Sequence, residues 1–231
     1  MQPELTLQLF AKAPVPGMVK TRLIPALGAE RAALLYARMA EHAAWSVAAA
    51  CAAIGAARGE LWCTPDMNSE FLRTLAARHG LALRQQCAGD LGTRMREALQ
   101  SALPGRAILL GSDCPLLDMK ALLAAGRALH THDAVFVPVE DGGYALIGFR
   151  RSVVDCFSNV DWSTDRVMAQ TRALLGAAEA RWKELPTAWD VDTAADLARL
   201  AADVRFSHLL ADLEPARAAK NTTILGAPFI I

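Results

Sequence analysis

Short apolar runs alternate with helix-period segments through the first two-thirds of the chain, and this alternation restricts the architecture more than any other feature. Residues 5–10, 60–64, 81–85, 108–110 and 134–139 have the length and composition of strands. Between them, residues 29 to about 53, 69–79, 93–103 and 119–129 repeat apolar side chains at helical spacing. In the first of these helices Leu34, Leu35, Met39, Ala43 and Val47 share one face. Such an order predicts a mostly parallel sheet covered on both sides by helices. Asp141-Gly142-Gly143-Tyr144 then reads as a hairpin-like turn into a strand over 145–149, a break in the parallel pattern. A helix follows to about 175 with Ser163 or Thr164 as N-cap, then a short strand over 182–185 and a final helix near 194–210. The expected fold is a three-layer α/β/α sandwich with a mixed, mostly parallel sheet. The 231 residues read as one domain, with 211–231 a tail that either wraps the surface or serves a homo-oligomer.

Chemistry is expected where strands end in loops of unusual composition. Residues 11–23 follow the first strand, and Pro14, Pro16 and Gly17 exclude helix there, so a long ordered loop is predicted. The loop carries Lys12, Lys20 and Arg22 and no acid. Cations at the ligand end of a strand suit phosphate, Arg as a bidentate fork and Lys as a movable point charge. An ordinary solvated loop is the alternative. Neither G-x-x-x-x-G-K-[ST] nor G-x-G-x-x-G is present, so this is not a Walker A loop or a dinucleotide fingerprint.

Three aspartates could face that loop. Asp113 follows the apolar run at 108–110 and precedes Cys114-Pro115, so it sits where the chain must turn, either at a ligand-binding strand end or as a turn aspartate. Asp190 and Asp192 precede the last helix, where D-V-D-T reads equally as an N-cap with dipole compensation. Mg²⁺ commonly takes one or two protein carboxylates and completes its shell with phosphates and water, so separated aspartates opposite cations suit a metal–diphosphate site. Asp141 could accept a hydroxyl proton, although D-G-G is explained by hairpin geometry alone.

Other classes find little support. Lys+Arg and Asp+Glu are both 24, a zero balance that argues against a nucleic-acid track. Five cysteines without a C-x-x-C pair read as reduced, mostly buried thiols of a cytoplasmic protein. The first strand begins almost at once, and the uncharged run over 43–57 is too short to span a bilayer, so a soluble protein without a signal peptide is expected. His42, His79, His130, His132 and His208 lie outside every motif, and no G-x-S-x-G occurs, so neither a zinc site nor a Ser/His/Asp hydrolase is indicated. Trp45 and Trp182 read as core.

Six motifs then occur in order: F-A-K-A-P-V-P-G-M-V-K-T-R-L, G-D-L-G-T-R-M, G-S-D-C-P, D-G-G-Y-A-L-I-G, W-S-T-D-R-V and W-D-V-D-T-A-A-D-L. Together they resemble a bacterial family of GT-A-type transferases, described as glycosyltransferases and sometimes linked to arsenosugar biosynthesis. Phospholactate and molybdenum-cofactor guanylyltransferases are more distant relatives on the same nucleotide-diphospho-sugar transferase fold. The resemblance implies that Lys12, Lys20 and Arg22 hold the phosphates, that Ala11 and Gly17 belong to the same nucleotide site, and that Asp90 and Gly92 lie near base or ribose. It implies that Asp113 is the metal-binding aspartate, here in S-D-C-P rather than D-x-D, with Asp192, or failing it Asp190, as second ligand. Asp141, Gly142, Gly143, Tyr144, Trp162, Ser163 and Thr164 would face the sugar or the acceptor.

The reading is a Mg²⁺- or Mn²⁺-dependent glycosyltransferase that uses a nucleoside diphosphate sugar and a small-molecule acceptor. Asp113, Lys20, Arg22 and Asp141 would carry the catalysis. One alternative is a guanylyltransferase-like nucleotidyltransferase acting on a nucleoside triphosphate and a phosphorylated acceptor; another is a non-catalytic nucleotide-binding protein. No nucleic-acid or membrane partner is expected.

Overall fold

The computed structural model describes residues 4–211 and 213, so the tail expected over 211–231 falls almost wholly outside the described residues. Seven strands form, β1 (Leu5–Lys12), β2 (Ala57–Thr64), β3 (Ala82–Gln85), β4 (Arg106–Leu110), β5 (Ala134–Pro138), β6 (Tyr144–Arg150) and β7 (Trp182–Glu184). They make one sheet in the order β3-β2-β1-β4-β6-β5-β7. β1 is parallel to β2 and β4, β2 to β3, and β5 to β7. β6 runs antiparallel between β4 and β5. The carboxyl ends of β3, β2, β1 and β4 therefore share one edge, and the reversal of β6 brings its first residues, Tyr144 and Ala145, to that same edge. Gly111 N, just past β4, donates to Ala145 O at 3.1 Å and closes the join.

The helices are α1 (Ile24–Leu27), α2 (Ala29–Ile54), α3 (Glu70–His79), α4 (Leu91–Ser101), α5 (Met119–Ala128), α6 (Val167–Ala177), α7 (Ala194–Ala202) and α8 (Ser207–Leu210). Leu5, Leu7, Leu9, Ile108 and Leu110 point to the side packed by α2, α3 and α5. Ala107, Leu109, Phe136, Ile147 and Phe149 point to the side packed by α4 and α6. This is the predicted three-layer arrangement, and it follows from the twofold side-chain alternation of strands. A third cluster joins the outer side of α2, through Leu35 and Met39, to Trp189, Leu200, Phe206 and Leu209, so the C-terminal helices are pinned to α2 rather than to the sheet.

Alternation in β1 is not apolar against polar. Thr6 and Gln8 are as buried as the leucines between them. Gln8 Nε2 donates to Ala98 O of α4 at 2.6 Å and to Glu60 Oε2 at 3.1 Å, while Trp62 Nε1 donates to the same Glu60 oxygen at 2.9 Å. Glu60 is buried without being stranded because Arg58 lies 3.2 Å from its other oxygen.

Several local expectations are corrected. Leu34 and Trp45 stand exposed on α2, at 42% and 55%, because the helix turns them past the edge of the sheet-facing stripe. The N-cap of α6 is Arg166 with no side-chain cap; Ser163 instead has a positive φ, and Thr164 Oγ1 donates to Asp161 O within the preceding turn. The loop after β1 ends at Lys20, and residues 21–23 form a 3₁₀ turn. The final helix breaks at Asp203, whose carboxylate accepts from Arg205 N and starts a second 3₁₀ turn.

The insertion of β6 between two neighbours depends on Gly148, which pairs with Ile108 on one side and Val135 on the other. A Cβ there would come within 2.9 Å of Ala107 O and Ile108 Cγ1 and 3.0 Å of Val135 Cγ1. Gly148→Ala is expected to lower stability by about 1–3 kcal/mol, read from the midpoint of urea unfolding.

Candidate active site

The shared strand edge opens into a cleft of about 520 Å³, within the usual range for a small-ligand site. Its walls come from the loop after β1, the loop after β4, the start of β6, the first turns of α4 and the segment before α7. Of the residues singled out in the sequence, Ala11, Lys12, Lys20, Arg22, Asp113, Asp190 and Asp192 line it, as do Tyr144 and Ser163.

The centre is an ion triad. The Lys20 side chain is 3% exposed, and its Nζ lies 2.7 Å from Asp113 Oδ1 and 2.9 Å from Asp192 Oδ1. Burial opposes the ammonium, but Asp113 and then Asp192 outweigh it and hold its pKa above the ordinary lysine value. Lys20 is itself in left-handed backbone conformation, φ 47° and ψ 42°, at the start of the 3₁₀ turn. For a residue with a Cβ that costs on the order of 1 kcal/mol or more, and the surroundings must hold it there. Lys12 and Arg22 are exposed on the same wall.

The two aspartates come from segments joined directly by backbone, since Val191 N donates to Asp113 O at 3.0 Å. The D-V-D-T segment does not cap with its aspartates. Thr193 and Asp196 form a capping box, which leaves Asp190 and Asp192 free for the cleft. Asp113 lies three residues beyond the end of β4, and its side chain meets Lys20 rather than a neighbouring backbone N–H.

The rest of the expected set is divided. Asp90 is an exposed N-cap, its carboxylate accepting from Thr93 N at 2.7 Å, and Gly92 is where the Trp162 indole packs, a Cβ there meeting the ring at 2.6 Å. Both therefore shape α4 and its contact with the 162–164 turn; neither lines the cleft. Gly17 turns the basic loop at φ 83°, outside the lining residues. Asp141 accepts from Gly143 N at 3.0 Å in the hairpin turn, and Gly142 lies so close to the Asp165 carbonyl, 2.0 Å from an added Cβ, that no other residue fits. Trp162 and Thr164 stand behind Ser163 rather than in the cleft.

Among the lining residues without a role in the sequence reading, three shape the site. Arg94, one helical turn after Asp90, faces the basic loop from α4, its Nη1 donating to Gln86 Oε1 at 3.1 Å. Gln86 is anchored by donation to Trp62 O at 2.9 Å. Tyr36, on α2, accepts from Lys12 N at 2.7 Å and from Ser112 Oγ at 3.1 Å, so one phenol ties the two loops together. Burial, then the charge of Asp113, pushes its hydroxyl up to about 12, so it stays protonated. Arg94 was visible as a cation inside G-D-L-G-T-R-M; Tyr36 had no sequence signal, being one helical residue among 26.

Asp190 is the anomaly of the acidic wall. Its Oδ1 is buried with no hydrogen-bond partner, and burial followed by the charge of Asp113 raises its carboxyl to about 7, against the opposing pull of Lys20. Because its folded pKa lies above its unfolded value, the folded state holds the proton more tightly. Stability is therefore lost as pH rises from about 4 through 7. Asp190→Asn removes that loss. The melting temperature of the variant, relative to wild type in chelator-treated buffer, is expected to be several degrees more favourable at pH 8 than at pH 4. An equal offset at both pH values would refute the assignment.

Comparison with known proteins gives a consistent frame. A provisionally named nucleotide-diphospho-sugar transferase from Desulfovibrio desulfuricans G20 is 29% identical, with a TM-score of 0.78 over 91% of this chain and 95% of that one. A cytidylyltransferase from Leptospira borgpetersenii serovar Hardjo-bovis is 15% identical, with a TM-score of 0.56 over 91% and 93%. A 4-diphosphocytidyl-2C-methyl-D-erythritol synthase from Anaerococcus prevotii is 11% identical, with a TM-score of 0.56 over 85% and 96%. These last two share the fold alone. No curated protein matches the chain. A family model described as "Uncharacterized protein conserved in bacteria (DUF2064)" matches residues 47–164, just over half of the 231, a span that holds Asp113 and Arg94 but neither Lys20 nor Asp192. The chain belongs to that family.

Proposed function

We propose that this protein is a metal-dependent transferase that takes a nucleoside diphosphate sugar and passes the glycosyl group to a small-molecule acceptor. The observation that carries the reading is one cleft in which a cationic wall, Lys12, Lys20, Arg22 and Arg94, faces an acidic wall, Asp113, Asp190 and Asp192. The likeness to the Desulfovibrio protein supports the same class of donor.

The residues fit a hard divalent cation. All three acidic groups offer oxygen, and the partnerless buried Asp190 Oδ1 sits beside the triad as an acceptor without a donor. Among the described residues no three His, Cys, Asp or Glu side chains are gathered into a metal cage. Mg²⁺ and Mn²⁺ need none where substrate phosphates complete the shell. Asp113 and Asp192 would hold the ion, which when bound supplies charge to the diphosphate leaving group.

Lys12 and Arg22, both exposed, bind the diphosphate, and Arg94 meets it from α4. The bond from the sugar to the diphosphate breaks as the acceptor oxygen bonds to the sugar carbon. Tyr144 and Ser163 mark the acceptor end of the cleft. Asp141 is the exposed carboxylate beside that end, near enough for its charge to raise Asp190, and takes the acceptor hydroxyl proton.

Arg94 favours one second reading. A fourth cation in the cleft suits a triphosphate, and one protein that shares the fold is named a cytidylyltransferase. Release of pyrophosphate from a nucleoside triphosphate would select nucleotidyl transfer; hydrolysis of a nucleotide sugar would select glycosyl transfer. Tight binding with no turnover of either would leave a non-catalytic nucleotide-binding protein.

The direct test is thermal unfolding with a panel of nucleotides and nucleotide sugars, with and without Mn²⁺. A ligand at about 100 times its Kd stabilises by roughly 2.7 kcal/mol, a shift of several degrees. Asp113→Asn is expected to lose the Mn²⁺-dependent part of that shift, and Arg94→Ala to weaken nucleotide binding by about tenfold. Equal Mn²⁺-dependent stabilisation of wild type and Asp113→Asn would overturn the site.

A further inference from the structure

Lys20 is in an unexpected place for a phosphate-binding residue. Lys12 and Arg22, on the same loop, are exposed, whereas the Lys20 ammonium is drawn under the loop and held between Asp113 and Asp192. Those are the two carboxylates that would hold the metal, and Nζ already touches one oxygen of each, at 2.7 and 2.9 Å. An ammonium and a divalent cation compete for those oxygens, because two positive charges at one contact distance repel each other.

We infer that the Lys20 ammonium is a built-in occupant of the metal position, which a divalent cation must displace, and that the phosphates of the nucleotide draw it out. The inference rests on the metal-dependent reading above and adds how the site is regulated: metal loading is conditional on nucleotide.

Two features make the exchange workable. First, the carboxylates do not depend on Lys20 to stay together. The Val191 N to Asp113 O hydrogen bond joins their segments through backbone, and the capping box of Thr193 and Asp196 holds the other side of Asp192. Second, charge favours exchange only when phosphate is present. Asp113 and Asp192 with Lys20 carry a net charge of one negative, and the same pair with a divalent ion carries none. The displaced ammonium, however, is then left in a cleft already holding Lys12, Arg22 and Arg94. A diphosphate in that space gives it a partner. Without nucleotide the displaced cation has none, and the apparent metal affinity is reduced by the fraction of molecules in which the lysine has left.

The test is Mn²⁺ binding measured by electron paramagnetic resonance, with and without UDP or GDP, on wild type, Lys20→Met and Lys20→Arg. Wild type should bind Mn²⁺ weakly alone and at least about tenfold more tightly with nucleotide. Lys20→Met should bind Mn²⁺ alone at least about tenfold more tightly than wild type, and Lys20→Arg, which keeps a cation, should not. If Lys20→Met binds Mn²⁺ alone no better than wild type, the ammonium is a structural staple and this inference fails while the metal-dependent reading stands. If no protein binds Mn²⁺ under any condition, both fail. Should Lys20→Met not fold by circular dichroism, wild type still decides the matter. Reductive methylation of Lys20, mapped by mass spectrometry, should speed up at saturating Mg²⁺, and an unchanged rate would overturn the exchange.

Discussion

A buried ammonium gripped by two carboxylates is the interaction on which the candidate site depends. Lys20 reaches Asp113 and Asp192 across separations of 93 and 172 residues, so one cation brings three loops to a common point. Taking the ammonium out of water alone would be costly, and the two half-exposed carboxylates offset that cost. The loop after β1 carries a left-handed backbone at Lys20 to make the contact, and Tyr36 braces the same loop from α2 through Lys12 N. The strained loop and the paired aspartates therefore belong to one device.

The sheet decides where that device sits. Parallel β3, β2, β1 and β4 bring their carboxyl ends to one edge, the position at which open α/β sheets take ligands. The antiparallel β6 then delivers Tyr144 to the same edge, next to Gly111. Without that reversal the hairpin motif would lie at the opposite end from the basic loop. Gly142 and Gly148 are the positions that make the reversal fit, one against the Asp165 carbonyl and the other between β4 and β5. They are glycines for packing, and only indirectly for binding.

Charge is unevenly distributed in a molecule whose formal total is zero. Four cations and three acids meet in the cleft, and Asp190, whose Oδ1 is buried without a hydrogen-bond donor, has its carboxyl raised to about 7. Asp190 Oδ1 contrasts in this with Glu60. Glu60, more deeply buried, has Arg58, Gln8 and Trp62 around it.

Much of the fold was legible in the sequence because it is written in local periodicity. Alternating short runs and helical stripes identify the seven strands and most helices, and the D-G-G turn identifies the antiparallel break. Periodicity says less about which stripe residue faces the sheet, which is why Leu34 and Trp45 were expected inside and stand outside. For the site, sequence alone located a basic loop, an aspartate after a strand and a D-V-D before a helix, each with a bland alternative. Only the tertiary structure decided among those alternatives. It assigned the cap of α7 to Thr193 and Asp196, turned Asp113 toward Lys20, and made Asp90 the N-cap of α4 and Gly92 its contact with Trp162. It also recruited Tyr36 and Arg94 from helices. The physical reason is range: a cap or a turn is set within a few residues, whereas an ion triad is set by how a sheet brings distant loops together.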